Sequence, residues 1–160
     1  MKSVPVRRLI AAVTCAVALG LAVQTISSAR EQGSPEDPVK FVDARSDAYR
    51  YIAYHRTAKL TPEQETTKEE ALSAIPAPCC KDYSIATCCC PCNLAKAVWG
   101  LSEQLIVERG YGSERVKSVV EDWIHFTNAN GYSGTACYKG GCGRPFDQDG
   151  CGGMNEKHVS

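Results

Sequence analysis

Residues 93–129 read NLAKAVWGLSEQLIVERGYGSERVKSVVEDWIHFTNA, with two stretches in which apolar residues recur every three or four positions. This spacing is typical of amphipathic α-helices, and it predicts one helix over about 93–109 and a second over about 114–129. The apolar stripe of the first helix contains Leu94, Ala97, Val98, Leu101 and Leu105, and that of the second contains Val116, Val119, Val120, Trp123 and Thr127.

The short link between these helices carries end signals for both. Arg109 followed by Gly110 is typical of a helix C-terminus, because a basic side chain complements the helix dipole and glycine accepts a left-handed conformation. Ser113 is the expected N-cap of the second helix, and Asn130-Gly131 is its expected end. Because so few residues join the two helices, we expect them to pack as antiparallel neighbours.

Two earlier helices are predicted before this hairpin. One covers residues 43–59 and places Ala44, Ala48, Tyr51, Ile52 and His55 on one face. The other has Thr61 as N-cap and Pro62 at its first helical position, and it should end near Ala74. The predicted fold class is therefore mostly α: a small helical domain around the antiparallel hairpin, with two earlier helices and an irregular Cys/Gly-rich C-terminal segment.

The first 29 residues have the pattern of a targeting segment. Residues 1–8 carry three basic side chains, and residues 9–29 carry no charge. The small residues at 27–29 suit cleavage after Ala29, which predicts a signal peptide and a periplasmic or extracellular protein. The alternative is an uncleaved membrane anchor, since 21 uncharged residues can cross a bilayer.

The remaining chain divides into three segments. Residues 30–42 are rich in proline and charge and predict a linker. Residues 43–130 form the predicted helical cysteine-rich domain, and residues 131–160 form a glycine- and cysteine-rich tail packed on it or tethered to it. Without residues 1–29 the chain has 15 basic and 18 acidic residues, so no basic face for nucleic acid is expected.

Cysteine is concentrated just before the predicted hairpin. Six thiols fall within fourteen residues: Cys79, Cys80, Cys88, Cys89, Cys90 and Cys92. Thiolates at such spacings can converge on one soft ion, so these six are the predicted ligands of a metal site, with copper(I) ahead of zinc. Cys137, Cys142 and Cys151 in the tail are expected to form disulfides or to act as additional ligands.

Two other interpretations use the same cysteines. Cys89-Cys90-Pro91-Cys92 has the C-x-P-C spacing of thiol–disulfide oxidoreductases, in which Cys89 would attack and Cys92 would resolve. Pro91 fits the first turn of the next helix, whose free N–H groups would stabilise a thiolate. Only residues 83–87 could be a strand before that helix, which argues against a thioredoxin fold.

The third interpretation is a disulfide-stapled structural or interaction module. After export the chain keeps nine cysteines in an oxidising compartment, where disulfides persist. The number is odd, so at least one thiol is left for a metal, a partner or a reactive role. Besides a metal ion, the expected partner is another exported protein that handles metals or thiols.

The run Ile75-Pro76-Ala77-Pro78-Cys79-Cys80, followed by a second cysteine group and two helices, resembles the exported bacterial PCYCGC-motif proteins. Pro-Cys-Cys stands here where those proteins have Cys-Tyr-Cys-Gly-Cys. The cysteines before Ser84-Ile85-Ala86 also resemble the periplasmic thiol reductase domain of cytochrome c maturation, a small three-helix domain. These resemblances imply export and thiol chemistry, and neither identifies a ligand.

Other side chains give weaker signals. His55 and His125 lie in predicted helices, and an isolated helical histidine is more often a packing or surface residue than a ligand. The sequence contains no clear catalytic triad, phosphate-binding glycine loop or paired catalytic carboxylates, so no catalytic residue is predicted outside the thiols.

Overall fold

The computed structural model describes residues 38–78, 80–88, 90–129, 143–148, 150–155 and 159. These residues contain four α-helices: α1 (Ala44–Thr57), α2 (Pro62–Ser73), α3 (Asn93–Arg109) and α4 (Ser113–Thr127). The fold is mostly α, and α3 and α4 form the predicted helix hairpin. The fold class derived from the sequence is therefore confirmed.

A small irregular connection joins α2 to α3. It contains two antiparallel strands, β1 (Pro76–Ala77) and β2 (Cys80–Ser84), and a 3₁₀ turn over Ile85–Thr87. The expectation that a strand could cover residues 83–87 is thus only partly right, because the chain leaves β1 after Ser84. The main-chain N–H of Ile85 donates to the carbonyl oxygen of Ile75 at 2.8 Å, which ends the strand pairing and starts the turn.

The helix ends follow local capping chemistry. Thr61 is the N-cap of α2, as predicted, and it forms a reciprocal capping box with Gln64. Gly110 ends α3 in a left-handed conformation, with φ +63°, as its position predicts. The expectation that Ser113 is the N-cap of α4 is wrong by one residue. The carbonyl oxygen of Gly112 accepts from the N–H of Val116 at 3.0 Å, so Gly112 is the cap.

The expected end of α4 also differs from the structure. The helix ends at Thr127, where the N–H of Asn128 donates to the carbonyl oxygen of Ile124. The predicted terminator Asn130-Gly131 lies outside the described residues.

Helix α3 is the centre of the domain and contacts all three other helices. Both predicted apolar stripes are buried. Helix α3 is also buried beyond its stripe, at Asn93, Ser102 and Glu103. A helix enclosed on several sides carries polar groups into the interior, and those groups need hydrogen-bond partners.

Gly100 sets the distance between α1 and α3. A Cβ atom at this position would lie 1.8 Å from the carbonyl oxygen of Tyr51, on α1. Only glycine allows so close an approach, and the next turn of α1 then places His55 against the same stretch of α3.

Trp123 fills the core between α1 and α4. Its ring meets that of Tyr51 edge to face, with the centroids 5.2 Å apart, and meets that of Phe41 at the same distance. Such aromatic pairs add to the apolar area that they bury. Phe41 precedes α1, so residues just before the first helix pack on the core.

In the ranges described, no helix is both long and apolar enough to cross a bilayer. The predicted targeting segment, residues 1–29, and most of the predicted linker lie outside those ranges.

Candidate functional site

The second cysteine group leads directly into α3. Cys92 is the N-cap, in an extended conformation, and its N–H donates to the carbonyl oxygen of Cys90 at 2.7 Å. The prediction that Pro91 occupies the first helical turn is therefore wrong. Pro91 stands one residue before the cap, because the buried Cys92 stays extended and the helix begins at Asn93.

The tail lies across this end of α3. The N–H of Asn93 donates to the carbonyl oxygen of Gly153 at 2.9 Å, and that of Leu94 donates to the carbonyl oxygen of Cys151 at 3.0 Å. The Asn93 side chain adds two bonds from Nδ2, one to the carbonyl oxygen of Gly152 at 2.6 Å and one to that of Asn155 at 3.0 Å. Asn93 is thus the main contact between α3 and the tail.

These contacts change the expected electrostatics of the thiols. The first N–H groups of a helix have no partner within it, and in many proteins they bind anions. Here the N–H groups of Asn93 and Leu94 already donate to tail carbonyl oxygens. The interpretation that these free N–H groups stabilise a thiolate therefore fails at these two positions, and the helix dipole remains as the stabilising field.

Four cysteine side chains are described. Cys92 and Cys151 are buried in the hydrophobic core, and Cys88 and Cys90 are half-buried, with Cys88 packed against that core. Cys151 therefore meets the same end of α3 as Cys92, although 58 residues separate them in the chain. Such a convergence of distant cysteines is what a shared ion or a shared covalent bond requires.

The other predicted ligands fall partly or wholly outside the description. Cys80 lies in β2, and its side chain is not among the described ones. Cys79, Cys89, Cys137 and Cys142 lie outside the described residues. Among the side chains that are described, no group of three or more His, Cys, Asp or Glu residues is placed to hold a metal ion.

Glycines hold the described part of the tail in a tight fold. A Cβ atom at Gly150 would lie 2.0 Å from the carbonyl oxygen of Arg144, and one at Gly152 would lie 2.6 Å from the ring of Phe146. Gly152 also has φ +71°, which favours glycine. Phe146 is buried against the core, so the tail is anchored by an apolar side chain as well as by Asn93.

A second polar cluster lies at the middle of α3. The Glu103 carboxylate is almost fully buried, with 4 % of its side chain exposed. Its oxygens lie 2.9 and 3.0 Å from His55 Nδ1, and Lys68 Nζ donates to it at 3.0 Å. Lys68 also pairs with Glu65 at 2.9 Å. Burial lowers the pKa of Lys68, but its hydrogen bonds to Glu65 and Glu103 outweigh that effect, so the pKa is raised.

The sequence pattern does not predict this cluster. The isolated His55 is expected to be a packing or surface residue, and no motif marks Glu103 or Lys68. One signal was available: a glycine inside a helix, at Gly100, indicates close helix packing, and Glu103 lies one turn further on the same side.

Comparisons with models of known protein families, with curated proteins and with solved structures found no match to this chain.

Proposed function

We propose that this protein is an exported, cysteine-rich protein that binds a soft metal ion, copper(I) ahead of zinc. The ligands come from the cysteines at 79, 80, 88, 89, 90 and 92, and Cys151 completes or encloses the site. One observation carries this proposal: the tail brings the buried Cys151 to the end of α3 where the buried Cys92 caps the helix.

The surroundings of these two sulfurs favour copper(I). Zinc in structural sites takes four ligands, and four thiolates around a divalent ion leave two negative charges. Copper(I) with two thiolates leaves only one negative charge. A smaller net charge costs less to bury in an apolar core, where Cys92 and Cys151 both lie.

The burial of Cys92 and Cys151 favours weakly hydrated metal ions over strongly hydrated ones. Cys151 is 2 % exposed and Cys92 is 1 % exposed, so an ion held between them must lose its water shell. Soft, weakly hydrated ions with a preference for sulfur meet that condition better than hard ions with oxygen ligands.

The same geometry leaves two competing interpretations that an experiment separates. In thiol–disulfide exchange, Cys89 and Cys92 would cycle between thiols and a disulfide. In a structural module, the cysteines near α3 and in the tail would be permanently bridged. Export, with residues 1–29 as signal or anchor, is part of the proposal in all three cases.

The test is a thiol count and a metal analysis on one sample of the full chain, purified from an oxidising compartment. The proposal predicts about one soft metal ion per chain. It also predicts several thiols that react with a thiol reagent only after a chelator removes the metal. Full bridging of all but one cysteine, with no bound metal, would contradict it. Reduction of a model disulfide that is lost on Cys89→Ser would instead favour the oxidoreductase.

A further inference from the structure

A cavity of about 380 Å³ lies between α1, α2, the 3₁₀ turn and α3, away from the cysteines. Its volume falls within the range of small-molecule sites. Leu72 and Ala86 supply apolar wall, and His55, Lys68, Glu69 and Trp99 supply polar and aromatic groups.

The imidazole of His55 lines this cavity, and its contact with Glu103 determines which ring nitrogen can accept a hydrogen bond. Both Glu103 oxygens lie within 3.0 Å of Nδ1, and an ionised carboxylate can only accept. In the neutral ring the proton is therefore on Nδ1, which leaves the lone pair of Nε2 available. Since Glu103 is buried and also bonded to Lys68, the ring is held in this orientation.

The charge around the cavity is negative. The three carboxylates of Glu65, Glu69 and Glu103 stand against the one ammonium of Lys68, which leaves a net charge of −2 when His55 is neutral. Glu65 and Glu103 share Lys68, whereas Glu69 has no ion pair or hydrogen bond from its side chain within the part of the chain described. A cationic ligand would meet an uncompensated carboxylate at Glu69.

Trp99 supplies an aromatic surface in a fixed position. Its Nε1 donates to the carbonyl oxygen of Ile85 at 2.9 Å, and its ring lies 5.4 Å from that of His55 at an interplanar angle of 55°. A fixed indole ring offers a large apolar surface against which the carbon part of a ligand can pack.

We propose that this cavity binds a small organic ammonium compound, a primary or secondary amine in its protonated form that carries a short apolar group. The ammonium N–H donates to Nε2 of His55 and is attracted by Glu69, and the apolar group lies against Trp99 and Leu72. The site is separate from the proposed metal site, so either proposal can fail while the other stands.

The features of the cavity exclude other ligand classes. An anion would meet the net negative charge, and a neutral apolar compound would leave Nε2 and Glu69 unused. No set of three or more metal-ligating side chains occurs here within the described ranges.

The test uses three matched probes with the full chain: 2-phenylethylammonium, its trimethylated quaternary analogue and 2-phenylethanol. Titrations are followed by calorimetry and by the NMR signal of the Trp99 indole N–H. We expect the primary ammonium to bind at least ~10-fold more tightly than the alcohol, because only the cation is attracted by the net negative charge. The quaternary analogue should bind severalfold more weakly than the primary ammonium, since it has no N–H for His55.

Two exposed carboxylates provide the decisive variants. Glu69→Gln should weaken binding of the ammonium about 5-fold. Glu114→Gln, on α4, removes the same charge at another exposed position and should leave binding unchanged. Equal effects of the two variants, equal affinity for alcohol and ammonium, or no binding up to about 10 mM would overturn the proposal.

Discussion

The middle of α3 and its amino end are held by different kinds of interaction. At the middle, α1 packs directly on Gly100, and the contact depends on the shape of side chains and backbone. At the amino end, tail carbonyl oxygens accept hydrogen bonds from Asn93 and Leu94. The first region is an interlocked core, whereas the second is a docked segment that is joined to the core by backbone hydrogen bonds and by the buried Phe146.

This difference suits the proposed metal site. A site enclosed by a docked segment can admit or release an ion when the segment moves, while the scaffold keeps its shape. Cys92 belongs to the scaffold and Cys151 belongs to the docked tail. The two sulfurs therefore come from different segments, and an ion bound by both would stabilise the docked state by linkage.

The largest expected effect is a break in the interlocked region. Gly100→Ala places a Cβ atom within 1.8 Å of the Tyr51 carbonyl oxygen, so α1 has to move away from α3. We expect the free energy of unfolding to fall by about 3 kcal/mol or more, because backbone cannot yield as a flexible side chain can. Chemical denaturation followed by circular dichroism measures this loss.

Gly112→Ala is the matched control for this substitution. Gly112 has φ −78°, and a Cβ atom there would have no neighbour within 4 Å. Its effect should stay within about 1 kcal/mol, because alanine is a poorer N-cap than glycine but meets no clash. If Gly100→Ala were as mild as Gly112→Ala, the close contact of α1 and α3 would be wrong.

A second prediction concerns alkaline pH in the same region. Burial raises the pKa of Tyr51 to about 12, from an ordinary value near 10. The unfolded chain loses this proton above pH 10 while the folded chain keeps it, so stability falls between pH 10 and pH 12. Tyr51→Phe should remove on the order of 2 kcal/mol of that fall, measured by denaturation at pH 8 and pH 12.

The neutral-pH comparison is the control for Tyr51→Phe. The substitution removes one hydrogen bond, from Arg50 Nη2 to the phenol oxygen at 3.1 Å, so a small loss at pH 8 is expected. Lys68 also has a raised pKa and keeps contributing to the alkaline loss in both proteins. An unchanged slope above pH 10 would show that Tyr51 is not buried as described.

The smallest effect is predicted at the docked tail. Asn93→Ala removes two hydrogen bonds to the tail, but it also removes Asn93 Oδ1, a buried acceptor without a donor among the described residues. We therefore expect a net loss of about 1 kcal/mol in global stability.

Asn93→Ala should loosen the contact between the tail and α3 more than it lowers the global free energy of unfolding. Hydrogen exchange of the Leu94 amide, which donates to Cys151, should become faster, while amides in α4 keep their protection. Ser118→Ala, an exposed change on α4, is the control and should alter neither. Equal acceleration in both helices would mean that the tail and the core open together.

The helices of the core were largely predictable from the sequence, although their contact at Gly100 was not. The spacing of apolar residues fixed the hairpin and its buried face, and Thr61 and Gly110 marked helix ends correctly. Such signals are local, because periodicity and capping depend on residues within one or two turns.

The docked region and the Glu103 cluster were not predictable in the same way. Asn93 looks like an ordinary first-turn residue until the tail, about sixty residues later, supplies its partners. Glu103 likewise becomes a buried carboxylate only when α1 and α2 bring His55 and Lys68 to it. Pairings between residues so far apart in the chain leave no periodic pattern in the sequence. The prediction that Pro91 lies in the first turn of α3 was wrong because the helix begins two residues later, at Asn93.

The most direct test of the metal proposal is a copper(I) competition titration of the reduced full chain against a chromophoric chelator. We predict one tight ion per chain, with affinity reduced about 100-fold by Cys92→Ser and about 10-fold by Cys151→Ser. Cys15→Ser, in the predicted targeting segment, is the matched control and should have no effect. Equal affinity in all four proteins, or no copper retained against the chelator, would contradict the proposal.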